Sequence, residues 1–359
     1  RRSNASQMSQ IATVRTEHKV PNDQRACPAC GNEQLKPIGE GRSTVVFEFV
    51  PARLVRHEHV QEVLRCKCGD YVVTAPGAPK LIEKGRYGAS FLAHLAVAKC
   101  ADHIPIYRLE KDFRRQGLPL ARSTMNELLH RASELTKPLW HRLLNTIKVR
   151  PIVQADETRL RMQDDGSGKP KNGFVWTFVA DDEHGGQDVA FVYTGDRSGE
   201  TPRRILGDTT GFLMVDAYSG YNSVAEVSRR VRAVCNAHLR RYFHESLPTA
   251  PVAQEAIDLI LQLYRVEREA KERNIVGTAA HLKLRKKKSA PIRKKLRAWL
   301  DLQQGRHPPK SPIGTAIKYA LNHWDDLGRF LEDARVPLDN NASERSLRRV
   351  ALGRKNFLF

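Results

Sequence analysis

Pro151-Ile-Val-Gln-Ala-Asp156-Glu-Thr-Arg-Leu160 is an apolar run that carries a carboxylate near its centre and then turns polar. It reads as a β-strand. Successive side chains on a strand point to opposite faces, so of the adjacent acids Asp156 and Glu157 only one can face a given site. Two later carboxylates stand in comparable settings. Asp216 ends the apolar run Gly211-Phe-Leu-Met-Val215, and Glu344 opens a predicted helix at Asn340-Asn-Ala-Ser-Glu344-Arg-Ser-Leu-Arg-Arg349. Carboxylates on two strands and a helix can converge on a pair of divalent cations, because hard cations take oxygen ligands.

The surroundings of this run define an element order. A Gly/Lys-rich turn near 166–173 leads to Phe174-Val-Trp-Thr-Phe-Val-Ala180, and a turn at 181–186 leads to Val189-Ala-Phe-Val-Tyr193. These three strands form an antiparallel meander. A helix over 199–206 then crosses to the Asp216 strand, which pairs in parallel with the first, and a short helix precedes Val231-Arg-Ala-Val-Cys235. The order β-β-β-α-β-α-β is that of a ribonuclease H-like (retroviral-integrase-like) α/β core, predicted over 148–244. Residues 245–335 read as a helical insertion with a Pro-rich break at His307-Pro-Pro-Lys-Ser-Pro312, and 336–359 as the final core helix. The insertion carries the basic runs Leu284-Arg-Lys-Lys-Lys288 and Arg293-Lys-Lys295. Lys286 and Lys287 there either grip DNA or form a solvated helix face.

Upstream, residues 1–24 are an unpatterned lead-in. Cys27-Pro-Ala-Cys30-Gly31 and Cys66-Lys-Cys68-Gly69 follow, with strand-like segments between them. Turns of this kind offer four thiolates to one tetrahedral Zn2+, which makes 25–75 a zinc ribbon with a closed, structural site. His57 and His59 are substitute ligands or strand-surface residues, and Cys100 and Cys235 read as buried small hydrophobes. Residues 80–147 form three predicted helices, 88–101 with Phe91, Leu92, Leu95 and Val97 as its apolar positions, 105–115, and one capped by Ser123 that ends near Leu135. With Gly117 in the turn, this is the order of a helix-turn-helix. Arg114, Arg115 and Arg122 would meet phosphates, while Arg122, Thr124 and Asn126 lie where base edges are read. A three-helix spacer is the competing reading.

Composition agrees with a polyanionic partner. Across 359 residues Lys+Arg outnumber Asp+Glu 60 to 40, a net charge of +20. No apolar run is long enough for a membrane span and no signal-peptide core is present, so the chain reads as soluble and cytoplasmic, without a membrane partner. Six cysteines, four of them in close pairs, indicate metal ligation rather than a disulfide framework. The start at Arg1 and the end at Phe359 within a motif-like stretch read as a piece of a longer protein.

Spacing alone leaves Glu344 with structural rivals. Asn341 three residues before it is a capping-box arrangement, and Arg348 is a helix pair at i+4. Four ordered blocks add weight: Gln-Ala-Asp156-Glu-Thr, Val-Asp216-Ala-Tyr-Ser-Gly-Tyr-Asn222, Cys235-Asn-Ala-His238-Leu-Arg-Arg-Tyr-Phe243, and Asp339-Asn-Asn-Ala-Ser-Glu344-Arg with Gly353-Arg-Lys-Asn-Phe-Leu-Phe359. Together they resemble the DDE transposases of the insertion-sequence-66 family from about Cys27 onward. The resemblance implies that Asp156, Asp216 and Glu344 hold two Mg2+ (or Mn2+) ions for cleavage and transfer of DNA strands. It implies that His238 of the Cys-x-x-His signature sits near the scissile phosphate, with Arg240 and Arg241 able to offset its charge. The other reading of His238 is a strand-end histidine bonded to backbone.

Element-end and target DNA, a homo-oligomer on DNA and helper proteins are the implied partners, in a nucleoid-associated bacterial protein. The family's N-terminal coiled coil and C-terminal extension are not in this sequence. Two alternatives stay open, a DNA-binding regulator or relic without catalysis and a ribonuclease H-like nuclease. Metal analysis of the purified protein is expected to find one zinc per chain; a chain without zinc would discard the ribbon.

Overall fold

The computed structural model describes Leu54 and residues 62–65, 72–74, 81–82, 85–162, 171–227 and 229–357. Two compact units divide the chain, Arg1–Arg56 and His57–Phe359, and the features below belong to the second. Cys27, Cys30, Cys66, Cys68, His57 and His59 lie outside the described residues. Strands β1 (Val63–Arg65) and β2 (Val72–Thr74) pair antiparallel, with Leu64 opposite Val73.

Three helices follow: α1 (Ala89–Cys100), α2 (Ile106–Arg115) and α3 (Arg122–Lys148). Leu92, Leu95 and Ala98 of α1, Leu109 and Phe113 of α2, and Met125 and Leu128 of α3 are buried. Val97, expected on the apolar face, is exposed, because Leu95 and Ala98 set the buried stripe one position away from it. Cys100, expected inside, is exposed at the end of α1. Gly117, at φ 85°, ends α2 in the left-handed conformation that glycine adopts without strain.

The third helix differs most from expectation. Its N-cap is Ala121, not Ser123, and it continues 27 residues through Pro138 instead of ending near Leu135. Residues 133–139 are exposed, so the missing backbone donor of Pro138 faces water. Packing at both ends holds the helix together across that turn: Met125 and Leu128 are buried near its start, and Ile147, Trp140, Leu143 and Leu144 pack on the sheet at the other end. Trp140 Nε1 also donates to the Phe191 carbonyl at 2.9 Å.

The sheet is built from β3 (Ile152–Met162), β4 (Lys171–Asp181), β5 (Gln187–Thr194), β6 (Thr210–Val215) and β7 (Arg229–Val234), in spatial order β5-β4-β3-β6-β7. The meander β3-β4-β5 is antiparallel, and β6 and β7 run parallel to β3. Helix α4 (Glu200–Leu206) crosses to β6, and α5 (Asn222–Val227) crosses to β7. Entry into β6 is tight. Gly211 adopts φ +113°, and a Cβ there would meet the Pro151 carbonyl oxygen at 2.2 Å, while the next residue, Phe212, donates its N–H to that oxygen at 2.7 Å.

Alternation divides the sheet into two buried faces. Val153, Ala155, Trp176, Phe178, Leu213 and Val215 pack under Ile147, Leu206, Tyr221 and Val224. On the other face, Ile152, Phe212, Met214 and Ala233 pack against Leu263, Phe330, Val336 and Leu338. The elements of this second layer are α6 (Asn236–Ser246), α7 (Ala253–Glu272), α8 (Ala279–Gln304), α9 (Pro312–Asn322) and α10 (Asn341–Phe357), with a 3-10 turn at Asp326–Leu331. The Pro-rich break before α9 is a cap, in which Ser311 Oγ accepts from the Gly314 N–H at 3.1 Å and Pro312 occupies the first turn. Among the described residues no helix is long and apolar enough to cross a membrane.

Part of the positive charge lies inside the protein. Arg285 is 1% exposed, grips Glu267 through Nε (2.9 Å) and Nη2 (2.6 Å), and donates to the carbonyls of Phe330, Ala334 and Val336. Arg293 is also buried, bonded to the Trp324 carbonyl at 2.8 Å and stacked over its ring. Arg230 on β7 bonds the carbonyls of Lys148, Arg150 and Phe212. The basic run is thus split by helical periodicity: Arg285 and Arg293 tie α8 down, while Lys286 and Lys287 are exposed.

Arg285→Ala would leave the Glu267 carboxylate and several buried carbonyls unpaired. It is expected to destabilise the protein by about 3–5 kcal/mol in urea denaturation, whereas Lys286→Ala should stay within about 0.5 kcal/mol.

Candidate active site

Strand register places the acids. Ile152 lies opposite Phe212 and Gln154 opposite Met214, so the same offset carried two residues further sets Asp156 beside Asp216. Across the next pair Met214 lies opposite Ala233 and Val215 opposite Val234, which sets Asp216 beside Cys235. The three stand in a row on neighbouring strands spaced about 4.8 Å apart, Asp216 and Cys235 just past the carboxyl ends of β6 and β7 and Asp156 midway along the longer β3. All three share the sheet face of Met214 and Ala233. Helix α10, which packs across β3 and β4, brings Glu344 to this row.

Asp156 carries the electrostatic signature of the site. Burial pushes its carboxyl up to about 7, and the neighbouring charges of Glu157, Asp216 and Glu344 push the same way. The Glu157 N–H, donating to Oδ1 at 2.9 Å, opposes them only in part. Asp216 is held by its own turn, its Oδ1 accepting from the Tyr218 N–H at 2.9 Å. Oε1 of Glu344 is buried without a hydrogen-bond partner, as are Oε1 of Gln154 and Oγ1 of Thr177, the residue opposite Asp156 on β4. Repelling carboxylates beside unsatisfied oxygens suit a hard divalent cation with its waters.

Glu157 takes the opposite face. Its side chain is 1% exposed and accepts from Tyr221 Oη at 2.6 Å and from Arg197 Nε at 2.8 Å and Nη2. The Arg197 guanidinium lies 3.9 Å from the centre of the Tyr218 ring, and Tyr218 Oη donates to the Arg197 carbonyl. This lattice ties the loop after Asp216 to the residue after Asp156. Tyr218 and Tyr221 stood in the Asp216 sequence block, but nothing in the sequence marked Arg197, which follows β5 in a loop.

The capping-box reading of Glu344 is not realised. The Asn340 carbonyl accepts from the Glu344 N–H at 3.2 Å, so Asn340 is the N-cap and Glu344 lies one residue beyond the capping-box position. Nor does it pair with Arg348: among the described residues its ion-pair contact is His238, Nε2 to Oε1 at 3.7 Å. His238 sits in the first turn of α6, and its Nδ1 is buried without a partner, so the backbone-bonded reading is not realised either. Arg240 is half-buried and Arg241 exposed, and among the described residues neither forms an ion pair. Away from this row, Arg114 pairs with Glu110 (3.5 Å), Arg115 with Asp112 (2.8 Å) and Arg122 with Glu110 (3.2 Å), all three arginines exposed. Thr124 is half-buried and Asn126 exposed.

By fold and site this is a mixed α/β protein whose central strands carry a cluster of acids on one face. Residues 84–359, which contain the whole cluster, match the Transposase IS66 family, and residues 24–69, which contain all four paired cysteines, match the zinc-finger binding domain of transposase IS66. The chain belongs to the IS66 transposase family. It is similar to the uncharacterized protein y4jD of Sinorhizobium fredii, with 32% identity over 353 residues, 95% of this chain and 68% of that protein. The uncharacterized protein y4qI of the same organism is 33% identical over 358 residues, 96% of this chain and 64% of its own length. The chain thus spans about two thirds of the length of these relatives.

The raised Asp156 carboxyl contributes a pH dependence to the stability of the metal-free protein. Its folded value, about 7, lies above the ordinary 3.8, so stability from the protonated group is complete below about pH 4 and is lost as pH rises through about 7. The span corresponds to at most roughly 4 kcal/mol. Thermal unfolding without metal should therefore show Tm falling between about pH 4 and 7 and a recovery with Mg2+ at about pH 8. Asp156→Asn should flatten the fall and remove the Mg2+ response; an unchanged pH profile in that variant would refute the assignment.

Proposed function

We propose that this protein is a DDE transposase that cuts DNA at the ends of an insertion sequence and joins the freed ends to target DNA. The observation that carries this reading is the register that aligns Asp156 with Asp216 beneath the helix bearing Glu344. Membership of the IS66 transposase family supports it, and the strand order β5-β4-β3-β6-β7 supports a ribonuclease H-like core.

Asp156, Asp216 and Glu344 would hold two Mg2+ or Mn2+ ions, which supply activation of water or a 3′-hydroxyl and stabilisation of the leaving oxygen. The chain's own residues position the substrate. His238 on α6 lies beside Glu344 and, with Arg240 and Arg241, offsets the charge of the reacting phosphodiester. The Tyr218–Arg197–Glu157 lattice keeps the Asp216 carboxylate aimed at the row. No serine or tyrosine is assigned as a nucleophile, since ions held by the three acids would supply the activation of the attacking oxygen.

The remaining layout follows the same reading. A ribbon at 25–75 holds one Zn2+ through Cys27, Cys30, Cys66 and Cys68. Helices at 80–147 dock on DNA through Arg114, Arg115, Arg122, Thr124 and Asn126. The surface pairs of these arginines, worth under about 1 kcal/mol each, yield readily to phosphates. The core comprises 148–244 and 336–359, and the 245–335 insertion presents Lys286 and Lys287 to the duplex. Assembly as a homo-oligomer on paired DNA ends, with helper proteins, completes the proposal.

DNA carrying the element's own terminal repeats should be nicked and joined in Mg2+ and left intact in EDTA. Asp216→Asn should reduce cleavage at least about a hundredfold with DNA binding retained; undiminished cleavage by that variant would overturn the reading.

A further inference from the structure

Next to the carboxylate row lies a second donor set of different chemistry. Ligand atoms of Cys235, His238 and Glu344 all fall within 4.8 Å of one another. Cys235 is fully buried at the N-cap of α6, His238 follows in the first turn, and Glu344 arrives from α10. One sulfur, one imidazole nitrogen and one carboxylate oxygen are the ligand types of Zn2+, whereas Mg2+ takes oxygen alone.

The geometry is close to that of a bound ion. Zinc bonds of about 2.0–2.3 Å place tetrahedral ligands roughly 3.5 Å apart. The His238–Glu344 separation is 3.7 Å, and the whole set lies within 4.8 Å, so closing on an ion takes a side-chain shift of roughly 1 Å. A second observation points to an occupant. Nδ1 of His238, Oε1 of Glu344 and both side-chain ends of Asn340 are buried with no hydrogen-bond partner. Asn340 is fully buried, and its N–H donates to the Cys235 sulfur at 3.4 Å, which places that unsatisfied residue at the edge of the set. Buried polar atoms left unpaired are costly, and an ion ligated by the Glu344 oxygen would remove part of that cost.

We infer that Cys235, His238 and Glu344 form a site for a thiophilic divalent cation, Zn2+ foremost, separate from the ribbon. A thiolate and a carboxylate neutralise the dication, and three protein ligands leave a fourth position open. One consequence rests on the proposed function: Glu344 serves both sites, so Zn2+ here withdraws it from the Mg2+ pair, and each metal weakens binding of the other by the same factor.

Calorimetric titration of ZnCl2 into the purified protein, with its ribbon zinc in place, tests this. One further equivalent is expected. Its affinity should fall at least tenfold in Cys235→Ser and in Glu344→Gln; the glutamate's carboxylate is partly exposed, so that variant keeps a folded test available. Saturating Mg2+ should weaken the Zn2+ binding of the unsubstituted protein. No further equivalent, or one that survives both substitutions, overturns the site. An equivalent lost in Asp216→Asn but kept in Cys235→Ser overturns it too, by assigning the zinc to the carboxylate row. Zinc binding unaffected by Mg2+, in protein that Mg2+ itself stabilises, overturns the sharing of Glu344. Cleavage in Mg2+ by a protein that takes up no further zinc would leave the transposase reading standing and remove this inference alone.

Discussion

The pairing of β3 with β6 is the constraint on which the rest of the molecule depends. It begins where Phe212 donates its N–H to the Pro151 carbonyl, an approach that Gly211 permits because it has no side chain to collide with that oxygen. From there Gln154 meets Met214, and the acids two residues on are neighbours. A slip of one residue would send one of them to the other face of the sheet. The apolar packing of both faces therefore helps fix the acid cluster, since a one-residue slip would turn Val153 and Ala155, or Leu213 and Val215, out of the core they share.

That alignment places like charges together in a poorly solvated spot, and the protein compensates on one face only. Glu157 is paired with Arg197 and accepts from Tyr221 behind the sheet, which offsets part of the cost of its burial. Asp156 in front has a single backbone donor set against three repelling carboxylates. The asymmetry separates a structural acid from one prepared for a cation, although the two are adjacent in sequence. Arginines follow a similar division of labour. Arg230, Arg285 and Arg293 are buried against backbone carbonyls and fasten the helical layer and the strand ends, while Arg240 and Arg241 form no ion pair among the described residues. Net charge alone gives no way to tell these groups apart.

Much of the architecture was legible in the sequence. Apolar alternation over 152–160 and 174–180, the helix between β5 and β6, and the glycine after α2 are local signals, and the structure has strands, helix and left-handed turn at those places. Local signals failed where packing overrode them. Pro138 and the polar stretch around it argue for a helix end, yet α3 continues because its far end finds Trp140, Leu143, Leu144 and Ile147 a seat on the sheet. Asn341 and Glu344 have capping-box spacing, but the chain enters α10 one residue earlier, through the buried Asn340.

The sequence by itself determined which segments are strands and helices, their order, and that Asp156 and Glu157 point to opposite faces, because side-chain periodicity and turn chemistry act over a few residues. Only the tertiary structure decided that Cys235, His238 and Glu344 share one corner, that Arg197 locks Glu157 through a tyrosine pair, and that the arginines of the two basic runs lie inside. Those contacts join residues far apart along the chain. Their geometry is set by strand register and by how the helices pack on the sheet, which no short stretch of sequence encodes.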